Sequence, residues 1–452
     1  LRPVMAQVKE LTEGRTLPLL FKFALPLLLG QILQQMYSLI DAAIVGRFLG
    51  IGSLAAVGAS SSITFLIIGF CNGCGNGFCI PVAQQFGARN YRGLRRYVRN
   101  AIYLTAIISV AFALVTSLLC DDILRWMGTP EDIYREAWIY LLVTFIGIPC
   151  TFFYNFLGGV MRALGDSRTP FRLLVLSTSM NVALDLLFIV VFGWGVAGAG
   201  IATLLSQAVS AVLCYGIMMR KYDVLKGPAE DNQFRSKVMK DLLSIGVPMG
   251  LQFSITAIGS IMLQSSNNRL GTDCVAAFTT GMRIKMLFIC SFESIGIAMA
   301  TFSGQNIGAG RKERVLEGIR SSFLMVAIYC VFCFIVLNLF AVPISSIFIE
   351  GGNPEIVGKA AQFLKINVWF YPFLGSLCIF RYSIQGMGYT KFAMWSGVME
   401  MVARTLISLL LVPVAGYTGV CFGDAIAWVA ANLFLVPAFI YVYRKGSKLQ
   451  NI

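Results

Sequence analysis

The sequence predicts an all-α polytopic membrane protein, twelve transmembrane helices in two pseudo-symmetric six-helix lobes. Apolar residues make up 57% of the chain and charged residues only 13%, against about a quarter charged in soluble domains. Mean hydropathy is +0.75. Apolar stretches of the ~20 residues that cross a bilayer as a helix recur twelve times, and the motifs of the first half return in order in the second at an offset of about 222.

Helix one, read at 18–46, carries a polar stripe of Gln34, Tyr37, Ser38 and Asp41. The spacing i, i+3, i+4, i+7 puts these side chains on one helix face. A carboxylate in hydrocarbon costs at least a few kcal/mol and normally faces a protein interior or watery cavity, so Asp41 marks an ion or substrate path. Pro26, about four turns earlier, lacks an amide hydrogen and weakens one helical turn. It is a candidate hinge, with a static kink as the alternative. Helix two, 54–80, places Asn72 and Asn76 one turn apart as candidate cavity residues alongside Gln34 and Tyr37. Its Cys71, Cys74 and Cys79 include a CxxC spacing but have no second pair and no histidine to join them, so they read as packing thiols.

Helices three and four are read at 96–118 and 133–157. Helix five, 168–192, holds a second stripe, Ser177, Asn181 and Asp185, at i, i+4, i+8. Helix six, 196–220, contains Thr203. The alternative for both stripes is a hydrogen-bonded cluster that joins helices without further function. The stretch 221–240 is charged and contains Gly227-Pro228, which reads as a cytoplasmic linker between an amino-terminal lobe at 18–220 and a carboxy-terminal lobe at 241–443.

Helices seven to twelve are read at 241–266, 275–300, 315–340, 357–383, 393–414 and 419–443. Glu293 lies in the eighth with no evident local partner and is a candidate substrate or proton site. Glu400 and Arg404 are one turn apart and read as an internal ion pair, with Asp424 as a second counterion to Arg404.

The net charge of +14 has a topological cause. Arg89, Arg92, Arg95, Arg96 and Arg99 follow helix two, Arg162, Arg168 and Arg172 follow helix four, and Arg311, Lys312, Arg314 and Arg320 follow helix eight. Arg444, Lys445 and Lys448 follow helix twelve, whereas the loop holding Asp121, Asp122, Glu131 and Asp132 is acidic. The positive-inside rule then puts both termini in the cytoplasm, and a nucleic-acid partner is not expected. The polar start, LRPVMAQVKELTEGRT, lacks a cleavable signal pattern, so helix one is expected to be retained, with Met5 as a candidate start. Without histidine, a nucleophile–base pair or a phosphate loop, an intramembrane enzyme or sensor is the weaker alternative.

The repeat is specific. Ala83-Gln84-Gln85-Phe86-Gly87-Ala88 matches Gly304-Gln305-Asn306-Ile307-Gly308-Ala309, and Pro149 matches Pro372. Gly165-Asp166-Ser167-Arg168 matches Gly388-Tyr389-Thr390-Lys391, and Gly198 matches Gly419. Six helices per repeat is an even number, so both repeats enter from one side, as in proteins that rock two lobes about a central site. The positions aligned with Asp41 and Asp185 are apolar around Met262 and Leu263, and Ser408.

The ordered set of Pro26, Asp41, Val45-Gly46, Gln84 to Ala88, Arg162-Ala163-Leu164-Gly165-Asp166, Asn181, Asp185 and Gly198 to Thr203 resembles the multidrug and toxic compound extrusion (MATE) transporters over nearly the whole chain. The resemblance is closer to the DinF-like branch, which uses an amino-terminal-lobe cluster for its coupling ion. The matching positions here are Asp41, Asn181, Asp185 and Thr203, all four present. The NorM branch uses acids on helices seven and ten, which are read here without one. The resemblance implies an antiporter of the bacterial cytoplasmic membrane, a monomer with no cofactor, exporting lipophilic cationic small molecules in exchange for Na⁺ or H⁺. Two carboxylates, an amide oxygen and a hydroxyl suit a small hard cation such as Na⁺; two neighbouring acids at low dielectric would equally hold a proton. A lipid-linked saccharide flippase of the same superfamily is the alternative, and it would call for basic cavity residues to bind pyrophosphate.

Overall fold

A computed structural model describes residues 10–228, 231, 233–349 and 353–445. Met5 and Lys448 lie outside the described residues. The first repeat forms α1 (Thr16–Leu49), α2 (Ile51–Gly87), α3 (Tyr91–Leu118), the short α4 (Cys120–Trp126), α5 (Glu131–Ile146), α6 (Ile148–Ala163), α7 (Arg168–Asp185) and α8 (Gly195–Lys221). The second forms α9 (Ser236–Asn268), α10 (Thr272–Gly308), α11 (Lys312–Phe348), α12 (Pro354–Trp369), α13 (Tyr371–Gly386), α14 (Thr390–Leu406), α15 (Val412–Ala415) and α16 (Tyr417–Lys445).

Ten spans are long and apolar enough to cross a membrane, and two bent pairs bring the number to twelve when each counts as one span. Sequence reading treats 133–157 and 357–383 as single helices. In the fold, α5 and α6 meet at 45° and α12 and α13 at 54°. The cause is the matched pair Pro149 and Pro372, each in the first turn of the second helix. Proline there loses no intrahelical bond of its own helix but cannot continue the one before it.

The backbone itself repeats. Gly165 and Gly388 adopt φ of 83° and 90°, the left-handed conformation that ends α6 and α13 and that glycine enters without a Cβ clash. Arg89 has φ of 55° where its counterpart Gly310 has 72°, so the first repeat holds a non-glycine residue at a cost of about 1 kcal/mol. Both stripe helices also pass into π-helix, at Leu186–Val191 after α7 and at Ile407–Leu411 after α14. Such π segments concentrate at functional sites.

Two compact units form, and the chain changes unit inside helices rather than at the linker. One unit contains Leu29–Gly250, and the other contains Thr12–Leu28 and the chain from Leu251. The crossings therefore lie two residues after Pro26 and two residues after Pro248, instead of at the 18–220 and 241–443 limits read from composition. The linker belongs to the first unit. Asp231, 1% exposed, accepts from Arg95 Nε at 2.8 Å, with Arg92 Nε at 3.3 Å and Arg96 Nε at 3.5 Å. Burial opposes its charge, yet the arginines hold its carboxyl below the ordinary range. Asn100 adds a clamp, accepting from Arg235 N at 2.9 Å and donating to Gln233 O at 3.2 Å.

In the first unit, α2 forms the centre of the core. Cys74, Phe78 and Cys79 are buried among Phe152 and Phe156 of α6, and Cys79 Sγ donates to Gly75 O at 3.2 Å. Gly77 faces Gly246 so closely that a Cβ on Gly77 would come within 2.6 Å of Gly246 Cα. Only two glycines let α2 and α9 backbones approach this far. On α3 and α11, Leu114, Leu118, Ile328, Val331 and Leu339 are exposed, as expected of a face turned to lipid.

Candidate functional site

Three elements of the first unit build the predicted site. Stripe spacing on α7 aligns Ser177, Asn181 and Asp185, all buried, with Asp185 fully so. Thr203 comes from α8, which packs along α7, and Asp41 from α1, anchored by Ile44 and Val45 in a small apolar cluster with Ile189 and Ala199. Asp41 and Asp185 come within hydrogen-bonding range of each other. Tyr37 reaches Thr203 and stands beside both carboxylates, as does Tyr140 of α5.

The hydrogen bonds leave a particular set of atoms open. Asn181 donates through Nδ2 to Thr203 Oγ1 and to Ser206 Oγ, each at 3.3 Å. Thr203 Oγ1 in turn donates to Ala199 O at 3.1 Å. The donors of this cluster are therefore used within it. Asp41 Oδ1, Asn181 Oδ1 and both Asp185 carboxylate oxygens are buried without a partner. Neither Asp41 nor Asp185 has a lysine or arginine within ion-pair distance among the described residues. Buried acceptors without donors are costly, and two adjacent carboxylates add like-charge repulsion. A cation or proton between them relieves both terms.

The other sequence-derived residues divide by environment. Gln34 is exposed on α1, while Asn72 keeps a buried Oδ1 without a partner. Asn76 Oδ1 instead accepts from Arg162 Nη2 at 3.2 Å, so it holds α6 to α2. Pro26 lies inside α1. The expectation that helices seven and ten lack acids needs correction. Asp241 falls inside α9, in its second turn, where it accepts from Tyr97 Oη at 3.3 Å, and Glu355 falls in the first turn of α12, where it pairs with Lys359 at 2.8 Å.

Asp166, between α6 and α7, fastens the adjoining ends of this bundle. It accepts from Thr169 N at 3.0 Å, Lys221 Nζ at 2.7 Å and Tyr222 Oη at 2.6 Å. Burial works against its charge, but these bonds hold its carboxyl at about 2.

In the second unit the expected Glu400–Arg404 pair forms, with Arg404 Nη2 to Glu400 Oε2 at 3.2 Å, and Arg404 Nε reaches Asp424 Oδ1 at 2.8 Å. Two further cations complete the cluster. Lys285 Nζ binds Asp424, and Arg381 Nη2 binds Glu400. Both were legible as lone cations in apolar stretches, the same signal that singled out the acids. Glu293 is half-buried on α10 and lies in the field of Arg381, close to Cys290, Cys378 and Tyr382.

Known proteins resemble this chain over most of its length. The MatE family model matches residues 26–187 and 248–410, one match per repeat. YpnP of Bacillus subtilis (strain 168), a probable multidrug resistance protein, is 29% identical over 441 residues, covering 97% of each chain. YoeA of the same organism, also a probable multidrug resistance protein, is 30% identical over 94% of this chain and 93% of its own. An FAD transporter of Shewanella oneidensis is 24% identical over 94% of each chain. Among solved structures, MATE in complex with MaL6 superposes with a TM-score of 0.89 at 25% identity, over 96% of this chain and 98% of that one. These relatives are transporters of small molecules in a bilayer and not enzymes. With both repeats matched and the full set of spans accounted for, the chain belongs to the MatE family of multidrug efflux transporters.

Proposed function

We propose that this protein exports lipophilic, cationic small molecules in exchange for Na⁺ or H⁺, with Asp41, Asn181, Asp185 and Thr203 as the ion-coupling site. The observation that supports this most directly is the set of buried oxygens on Asp41, Asn181 and Asp185 that lack partners and are all acceptors. Bound Na⁺ or H⁺ neutralises the carboxylate pair and lets α1, α7 and α8 pack closely. The ionised pair attracts a cationic substrate. Each ligand thus favours a different arrangement, which is the thermodynamic requirement for exchange. Pro26, on α1 ahead of Asp41, is the hinge through which neutralisation alters that helix. Gln34, Tyr37 and Asn72 supply polar contacts to the substrate in the first unit, and Glu293 is a separate substrate or proton site of the second. The protein works as a monomer in the bacterial cytoplasmic membrane, both termini inside, in keeping with its basic even-numbered loops.

The test is efflux of a fluorescent cation from proteoliposomes, varying Na⁺ at fixed pH and pH at fixed Na⁺. Wild-type export follows one of the two gradients and Asp41→Asn loses that dependence; undiminished coupled export by Asp41→Asn refutes the assignment.

A second reading, export of an anionic metabolite, is favoured by the second-unit cluster, in which Lys285, Arg381 and Arg404 outnumber Glu400 and Asp424, and by the relative named an FAD transporter. Competition of the fluorescent cation by flavin nucleotides would support it.

A further inference from the structure

The second-unit cluster stands at the place where the first unit keeps its open site. Ser177, Asn181, Asp185 and Thr203 align with Glu400, Arg404, Ser408 and Asp424 at offsets of 223, 223, 223 and 221. Both sets sit on a helix that passes into π-helix and on the helix packed beside it. Duplication thus produced one polar node twice, and the two copies solved the same electrostatic problem differently. In the first, carboxylate oxygens lack partners and no cationic side chain reaches them among the described residues. In the second, Asp424 accepts from Lys285 and from Arg404, and Glu400 from Arg404 and Arg381.

Lys285 is what differs most. It enters from α10, is 2% exposed, and lies over the rings of Phe363 at 5.1 Å and Trp428 at 5.8 Å. Aromatic faces and a carboxylate together form a cage suited to a desolvated monovalent cation. At the aligned position of the first repeat, at the offset of 221 that relates α2 to α10, the chain has Thr64, which brings no charge to the first node. A primary ammonium carries the same unit charge as Na⁺ or a proton and supplies three donors.

Resting on the ion-coupling reading above, we infer that Lys285 is a tethered cation, filling in the second lobe the place that the coupling ion fills in the first. Only the first lobe then takes a monovalent cation from solution, and one coupling ion is exchanged per cycle. The carboxylates of the second lobe thus stay paired with side-chain cations throughout the cycle.

The experiment counts cations bound per chain in purified full-length protein, as radioactive Na⁺ retained and as protons taken up. The wild type is expected to hold one, lost in Asp41→Asn. Lys285→Ala empties the cage and should hold two, the added one surviving Asp41→Asn and missing from Lys285→Ala with Asp424→Asn. n-Propylammonium, the fragment deleted by the substitution, should return the count to one and raise the melting temperature of Lys285→Ala alone. The inference is overturned if folded Lys285→Ala binds no additional cation and ignores n-propylammonium, or if the wild type already binds a second cation that depends on Asp424. Should Lys285→Ala fail to fold, the neutral pair Lys285→Met with Asp424→Asn decides: an unchanged ion-to-substrate ratio supports the inference and a changed one overturns it. Retention of the wild-type site by Asp41→Asn would instead refute the first-lobe reading, leaving the Lys285 comparison legible.

Discussion

Asp185→Asn isolates the electrostatics of the proposed ion site. Asp185 is fully buried beside Asp41 and neither has a cationic partner among the described residues. Two unit charges about 4 Å apart at an effective dielectric of about 20 repel by roughly 4 kcal/mol. Asparagine keeps the shape, removes one charge and supplies donors that Asp41 Oδ1 lacks. The cation-free variant should therefore be more stable than the cation-free wild type by up to about 4 kcal/mol. At roughly 2 °C per kcal/mol for a lobe of this size, that is a rise of up to ~8 °C in melting temperature. The wild type recovers the difference on binding its ion, since a ligand at a hundred times its Kd stabilises by about 2.7 kcal/mol. The assay is a thermal melt of purified protein in choline against Na⁺ buffers and across pH. The variant should melt high and remain flat while the wild type climbs with one of the two ions. A variant that starts at the cation-free wild-type value and climbs in parallel with it would show that no coupling ion binds between these carboxylates.

Three further outcomes follow from particular contacts. Thr203→Val removes a shell oxygen and the acceptor of Asn181 Nδ2, so the Na⁺ or proton midpoint of the thermal shift should weaken about tenfold, the equivalent of ~1.4 kcal/mol, with little change in cation-free stability. Asp166→Asn should lose about 2 kcal/mol, since the carboxyl stands at about 2 rather than the ordinary 3.8 and each pH unit of that difference is worth about 1.4 kcal/mol. The lowered group contributes fully above its unfolded pKa, so the gap between wild type and variant in melts from pH 5 downward should persist to about pH 4 and close as pH falls toward 2. Gly77→Ala puts a methyl within 2.6 Å of Gly246 Cα, and because backbone cannot yield as a side chain does, a loss of about 1–3 kcal/mol is expected in the same melts.

Spans, repeat and carboxylates were legible for one physical reason. A bilayer penalises every unpaired polar atom, so charge is scarce in the spans and each exception is conspicuous. That logic singled out Asp41, Asp185, Glu400, Arg404 and Asp424, and it applies equally to Lys285 and Arg381, whose partners Asp424 and Glu400 lie on other helices. The bends at Pro149 and Pro372 were visible as matched prolines, but their angles depend on what each half-helix packs against. The π segments after α7 and α14 have no composition signal of their own; at each, a glycine of the following helix packs so closely that a Cβ on Gly198 would come within 3.1 Å of Phe188 and one on Gly419 within 3.0 Å of Leu411.

By itself the sequence determined the solvent, the number of spans, the duplication and the residue types that a cation would meet, because hydropathy and periodicity are properties of a segment alone. Only the tertiary structure decided which donors are already used and which acceptors remain open, because that depends on partners brought from other helices. Asn181 spends its amide hydrogens on Thr203 and Ser206, leaving the oxygens of one node open, while Lys285 and Arg381 arrive from α10 and α13 to close the other. Local sequence gave both nodes carboxylates; long-range packing made one a candidate ion site and the other a closed network of ion pairs.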